Sequence, residues 1–112
     1  QASLNKPLTI WRKFFKKKRP YLSLKDCSKT IKHIIKKNIF YGETLDVVSN
    51  NYTVEQIVNM IKQFTKVKMK FIDTEILNQN SYEVISDGIS KKGIKLNPNI
   101  LNDIKRTLDV LL

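Results

Sequence analysis

The sequence predicts an α/β fold of short strands covered by helices, and three observations lead there. Runs of β-type residues alternate with segments of helical apolar spacing, and the period switches to two between Lys66 and Ile72. The third is a capping box, Thr53 to Gln56, at the start of a helical run. With 112 residues, 41% of them hydrophobic, the chain can build one modest core, so residues 1–112 are read as a single domain.

The first strand is Leu8-Thr9-Ile10-Trp11. A basic stretch with two aromatics, Arg12 to Lys18, leads to Arg19-Pro20-Tyr21 and a helix start at Ser23 to Asp26. In that helix Leu24, Cys27, Ile31, Ile34 and Ile35 mark one face and Lys25, Lys29, Lys32 and Lys36 the other, with Gly42 in the turn beyond. Thr44 to Ser49, with Leu45, Val47 and Val48, reads as a second strand, and Asn50-Asn51 as a turn. After the Thr53 cap, Val54, Ile57, Val58, Ile61 and Phe64 follow at helical spacing.

The third strand, Lys66 to Ile72, sets Val67, Met69 and Phe71 against Lys66, Lys68 and Lys70. Thr74 to Tyr82 is polar and aperiodic, a loop. Ser86 to Lys92 forms a short helix stopped by Gly93, and Asn97-Pro98 opens a last helix carrying Ile100, Leu101, Ile104, Leu108 and Leu111. Three short strands offer little sheet for such long apolar helix faces. Part of that apolar surface is therefore expected to pack on something outside this sequence.

A net charge of +11 invites a nucleic-acid reading. Two features disfavour it. Lysine supplies 18 of the 21 basic residues, leaving Arg12, Arg19 and Arg106, whereas base reading and bidentate phosphate contacts favour arginine. The lysines are also spread along the whole chain, which describes a solvated surface better than a patch. The alternative function is a small basic nucleic-acid-binding module built on Arg12 to Arg19, with Phe14, Phe15 and Tyr21 as stacking groups. A third option is a protein-interaction domain docking through its helix faces. No stretch reaches the roughly 20 apolar residues of a membrane span, so no membrane partner is expected. The single cysteine, Cys27, forms no internal disulfide and fits a cytoplasmic location.

Most active-site patterns are missing. Gly42, Gly88 and Gly93 are too far apart for a dinucleotide or phosphate loop. Cys27 and His33 cannot supply the three or four ligands of a zinc site, and they face different ways on one helix. Cys27 reads as a small core residue and His33 as a boundary residue. Asp46, Asp73, Glu75 and Glu83 form no acid–base pair. Tyr21 and Lys25 match the pattern Tyr-x-x-x-Lys, but Tyr21 precedes its helix and the match is read as coincidence.

Several segments, in order, resemble the C-terminal substrate-binding part of extended short-chain dehydrogenases/reductases, the NAD-dependent nucleotide-sugar epimerases and dehydratases. Asn5-Lys6-Pro7-Leu8-Thr9-Ile10-Trp11 is similar to the family's Gly-Lys-Pro strand. Lys18-Arg19-Pro20-Tyr21-Leu22-Ser23-Leu24-Lys25-Asp26 is similar to its Arg-Asp-aromatic segment ending in Asp. Asp46-Val47-Val48-Ser49 with Tyr52 to Val58 is similar to its Asn-Val-Gly strand end and following helix, and Ser86-Asp87 through Gly93 to the last helix is similar to its closing stretch. Arg12-Lys13-Phe14 stands where the family carries Gly-Asp-Gly, and Ser90 where it carries a lysine.

The resemblance implies a nucleotide-sugar substrate, with Leu8, Ile10 and Trp11 along the base and Arg19 on the diphosphate. Arginine's planar fork independently suits phosphate oxygens. It implies a structural role for Asp26 at the helix start, no catalytic residue and no cofactor in this fragment. NAD would belong to the parent enzyme, bound by an N-terminal Rossmann domain that is absent here, and the fragment would be inactive alone.

Overall fold

The computed structural model describes residues 1–73 and 80–111. It bears out the mixture of helix and short strand, arranged as two separate two-stranded sheets. Strand β1 (Leu8–Trp11) buries Ile10 and exposes Thr9 and Trp11, the period-two pattern of a pleated strand with one covered face. A 3₁₀ turn at Arg12–Phe14 then drops Phe14 into the core. Strand β2 (Lys18–Tyr21) follows and runs directly into α1 (Leu24–Lys36).

Strand β3 (Asn50–Thr53) pairs antiparallel with β2, setting Arg19 opposite Tyr52 and Pro20 opposite Asn51. Proline lacks an N–H for the ladder, so its strand must lie at a sheet edge, and in a two-stranded sheet both strands do. Helix α2 (Val54–Lys62) leads to β4 (Met69–Ile72), which pairs in parallel with β1 in the register Ile10 to Phe71. Helices α3 (Asp87–Lys91) and α4 (Leu101–Leu111) close the chain, α4 packing against α2. Ile10, Phe14, Tyr52, Val58, Ile89, Ile94, Ile100 and Leu108 are among the buried apolar side chains.

Two sequence expectations need correction. Residues 44–49 form no strand, because they find no ladder partner among the described residues. Asn50-Asn51, read as a turn, lies inside β3, where the edge of β2 supplies the partner that outweighs asparagine's poor strand preference. The strand Lys66 to Ile72 is shortened to β4. Of the loop read at Thr74 to Tyr82, residues 74–79 lie outside the described residues.

The helix ends follow local chemistry. Ser23 Oγ accepts from the Asp26 N–H at 3.1 Å and caps α1. Thr53 and Gln56 complete the capping box of α2 in both directions, at 3.2 and 2.8 Å. Helix α3 stops in a Schellman motif: Gly93 takes φ +84°, and Gly93 N and Ile94 N donate back to Ser90 O and Ile89 O. Asn38, at φ +52°, ends α1 in the same way, with Asn38 N and Ile39 N donating to Ile35 O and Ile34 O. Before α4, Asn97 and Asn99 each accept from the backbone N–H two residues on, so the helix begins at Leu101 rather than at the Asn97-Pro98 signal.

The chain is spread thin. Its radius of gyration is 16.4 Å and its extents 46 × 34 × 17 Å, where a compact domain of this length would have a radius of about 13 Å. Its accessible surface is 8297 Å², against about 6,400 Å² expected for a compact monomer of its mass.

Candidate functional site

The described structure builds its polar junction around β2. Lys18 N donates to Ser81 Oγ at 3.0 Å, and Tyr82 N donates to Lys18 O at 3.4 Å. Asn51, on the partner strand, completes the attachment with a two-way clamp: its Nδ2 donates to Val84 O and its Oδ1 accepts from Val84 N, both at 2.9 Å. A side-chain amide that bonds a backbone N–H and C=O together mimics one rung of a strand ladder. Residues 81–84 are thereby zipped onto the β2–β3 ribbon.

Arg19 sits in this junction, half-buried. Its Nη1 donates to Asn80 O and, at 3.3 Å, to Lys18 O, and its guanidinium lies 4.9 Å from the centre of the Tyr82 ring. Stacking on an aromatic face and bonding to a carbonyl both restrict a side chain that is otherwise among the most mobile. The result is a cation held at a fixed place on a strand.

The other site residues expected from the sequence lie on the other sheet. Ile10 is buried in the core, Leu8 is half-buried, and Trp11 is 38% exposed, its ring meeting Phe14 edge-on at 6.0 Å. The basic stretch between them and Arg19 is largely engaged. Arg12 pairs with Asp73 at 3.1 Å and lies over Phe71, Lys16 pairs with Glu55 at 2.5 Å, and Lys18 pairs with Glu83 at 2.6 Å. Lys17 lies 5.1 Å over Phe14. Phe15 packs edge-on against Phe71 at 5.2 Å. Phe14 and Phe15, the phenylalanines that would stack bases in a nucleic-acid module, therefore pack within the protein.

Tyr21 shows the opposite of what a proton-transferring tyrosine needs. Burial pushes its phenol above the ordinary value of 10.0, and the positive charge of Arg19 offsets this only in part. Lys25 is exposed on α1. The Tyr-x-x-x-Lys match is a coincidence of sequence.

Asp26 proves to be the hub of a buried polar knot. Its carboxylate accepts from Ser49 Oγ at 2.6 Å and from Asn97 N at 3.2 Å, Ser49 Oγ accepts from Ser23 N at 3.0 Å, and Thr30 Oγ1 donates to Asp26 O at 2.9 Å. Ser49 N also donates to Tyr21 O at 2.8 Å. Asp26 thus ties the end of β2, the start of α1, the approach to β3 and the approach to α4. The sequence marks it only as a helix-start acid; Ser49 and Asn97 carry no signal that would have joined them to it.

A hollow of about 440 Å³ opens elsewhere, between the C-terminal end of α1 and residues 39–47, lined by Ile34, Ile39, Leu45, Val47 and Ile89 among others. None of Leu8, Ile10, Trp11 or Arg19 lines it. The glycines do not fit a dinucleotide either. Gly93 follows the C-terminal end of α3, where the helix dipole repels phosphate, and a side chain at Gly88 would meet Leu45 at 3.0 Å. Gly42 lies in open space. NAD, implied by the family resemblance, has no strand–glycine–helix cradle among the described residues. These residues also contain no group of three or more His, Cys, Asp or Glu placed to hold a metal, and no helix among them is long and apolar enough to cross a membrane.

Comparison with family models, with curated proteins and with solved structures finds no match to this chain.

Proposed function

We propose that this chain is the nucleotide-sugar-holding part of an NAD-dependent nucleoside-diphosphate-sugar epimerase or dehydratase. The observation that carries the proposal is Arg19, presented on β2 by the Tyr82 ring and the Asn80 carbonyl. A guanidinium fixed in advance meets a diphosphate at a lower entropic cost than a free lysine does, and its fork suits two oxygens at once. The ordered likeness of four segments to the C-terminal part of that family supports the same reading. Trp11 supplies an exposed aromatic edge for the nucleotide side, and the β1 strand behind it supplies the apolar wall.

In this reading the part of the chain is to bind and orient the substrate. NAD and the proton-transfer groups would be supplied by a dinucleotide-binding domain. The nucleic-acid alternative loses support from the pairing of Arg12, Lys16 and Lys18 with carboxylates.

Titration of the chain with UDP-glucose, followed by NMR of the Trp11 indole and the arginine side chains, tests the proposal. UDP-glucose is expected to move both signals, and Arg19→Ala to weaken binding by about 1.5–3 kcal/mol, the worth of a hydrogen bond to a charged group. Equal affinity in the variant would sink it, as would a preference for single-stranded oligonucleotides over the nucleotide sugar.

A further inference from the structure

Two sets of lysines in this chain contrast. Lys16, Lys18 and Lys92 each hold a carboxylate, those of Glu55, Glu83 and Glu43 in turn. Lys25, Lys29, Lys32 and Lys36 on α1 are all exposed, and none of them meets a carboxylate among the described residues. At 3.6 residues per turn these four fall within about 60° of the helix circumference, so they form one flank. The only carboxylate on the helix, Asp26, is buried and committed to Ser49 and Asn97.

This flank costs the helix locally. Lys25 and Lys29 are like charges four residues apart, as are Lys32 and Lys36, and charges at that spacing repel. Lys25 also lies in the first turn, where the helix dipole is positive and disfavours a cation. Lys36 alone stands at the end where the dipole favours it. Local rules broken in a row, with no compensating carboxylate in the chain, mark a surface kept for something outside it. A second row joins the flank. Lys29 Nζ donates to Lys95 O, and His33 Nε2 donates to Lys92 O at 3.0 Å, tying the turn after α3 alongside α1. Lys91 and Lys95 on that turn are exposed and meet no described carboxylate either.

We propose that this double row of lysines docks an extended acidic segment of a partner protein. From Lys25 to Lys36 the flank runs about 16 Å along the helix, the length of about five residues of extended chain. Successive lysines rise by about 4.5–6 Å, and alternate side chains of an extended segment stand about 6.6 Å apart. Asp or Glu at every second position therefore meets one ammonium after another, the flexible lysine stems taking up the difference. The chain already uses this pairing at the edge of the same turn, where Lys92 Nζ meets the Glu43 carboxylate at 2.9 Å. A nucleic acid is served less well, because neither row includes an aromatic to stack a base or an arginine to read one. A second copy of this chain, itself at +11, is repelled. The surface uses neither Arg19 nor Trp11, and the inference does not rest on the nucleotide-sugar reading.

The test is the binding of a fluorescein-labelled polyglutamate peptide of about six residues to the whole chain, followed by anisotropy. The peptide should bind at about 20 mM salt, and at about 200 mM at least about tenfold more weakly, because screening reaches exposed charges. Lys25→Glu/Lys32→Glu should weaken binding at least about tenfold. Lys66→Glu/Lys70→Glu, the same change of charge on another exposed part of the chain, should weaken it no more than about threefold. Equal losses in the two variants would mean that net charge alone attracts the peptide, and would overturn the proposal. Lys25→Glu/Lys32→Glu also turns both repelling pairs of α1 into attracting Glu–Lys pairs, so its urea midpoint should be no lower than the parent's. A lower midpoint would show that these lysines already serve the fold, and would equally overturn it. So would an absence of binding at low salt, or tighter binding of a thymidine oligonucleotide of equal charge. Capture by phosphatidylglycerol vesicles in preference to the peptide, or displacement of the peptide by UDP-glucose, would overturn it too.

Discussion

On the inner face of α1 the Asp26 carboxylate and the Thr30 hydroxyl are buried with their bonds made, while on the outer face of the same helix three aliphatic side chains stand in solvent. No described buried side-chain polar atom is left without a partner. The inner face is thus complete as it is: Asp26 joins four segments, and each of its neighbours is satisfied within the chain. The outer face is incomplete, and so is the unladdered stretch beside it. Burying polar groups is tolerable only when every bond is made, whereas exposing apolar ones forgoes burial energy without orphaning any group. The contrast separates the face on which the chain satisfies every group itself, holding β2 in place, from the face whose apolar side chains it leaves in solvent.

The comparison breaks most directly at Asp26. Asp26→Ala would orphan the buried Ser49 hydroxyl and the Asn97 N–H, and the expected loss is about 3 kcal/mol, as for two unsatisfied donors. Urea unfolding followed by circular dichroism measures it. Asp26→Asn keeps one acceptor oxygen but turns an N–H₂ toward a donor, so it should recover only part of the loss. A loss in Asp26→Ala no larger than that of an ordinary surface substitution would show that the knot is not what fixes β2 to α1.

Thr53→Ala supplies a scale for that number. It removes a single exposed cap from α2, leaving the Gln56 N–H to water, and should cost about 1 kcal/mol. The outer face should respond less still. Ile31→Glu and Ile35→Glu replace side chains that already face solvent, and each should change the stability of the isolated chain by no more than about 0.5 kcal/mol. A large loss from either would mean that the stripe is already covered within the chain.

Much of this arrangement is legible in the sequence where the signal is local. The Thr53 capping box, the Ser23 helix start, the Gly93 stop and the β1 strand all depend on residues within a few positions of one another. Pairing is not local, and there the sequence misleads. Lys18-Arg19-Pro20-Tyr21 carries only one strand-type residue, Tyr21, yet becomes β2, because Asn50–Thr53 lies beside it. Thr44 to Ser49 has the residues of a strand but no strand ladder among the described residues, Val48 bonding the Ser86 hydroxyl and Ser49 N the Tyr21 carbonyl. Apolar spacing on α1 identifies a stripe correctly but not the side on which the stripe is covered; Asp26 and Thr30, buried by bonds to distant Ser49 and to the helix backbone, decide the orientation. Of the candidate site, Arg19 could be singled out from its type and neighbours, whereas the residues that hold it, Asn80 and Tyr82, come from a loop without periodic signal.

The smallest effect expected is one of pH, and it probes the same knot from the β2 side. Tyr21 O accepts from Ser49 N, and burial raises the phenol of Tyr21 above 10.0 while Arg19 pulls it partly back. A group whose folded value lies above its unfolded one holds its proton longer in the folded state. Its contribution to stability is therefore fully present below the unfolded value and is lost as pH rises through the higher folded value. Stability measured by urea unfolding should accordingly fall with pH in the alkaline range from about 10 upward, and Tyr21→Phe should fall less steeply there while matching the parent at neutral pH. Arg19→Ala removes the opposing charge, so its Tyr21 phenolate, followed by ultraviolet absorbance, should appear at a higher pH than in the parent chain. If the phenolate appears at the same pH in both, the Arg19 cation lies too far from the Tyr21 ring for β2 to be the rigid platform described, and the completed face would extend only from Ser23 onward.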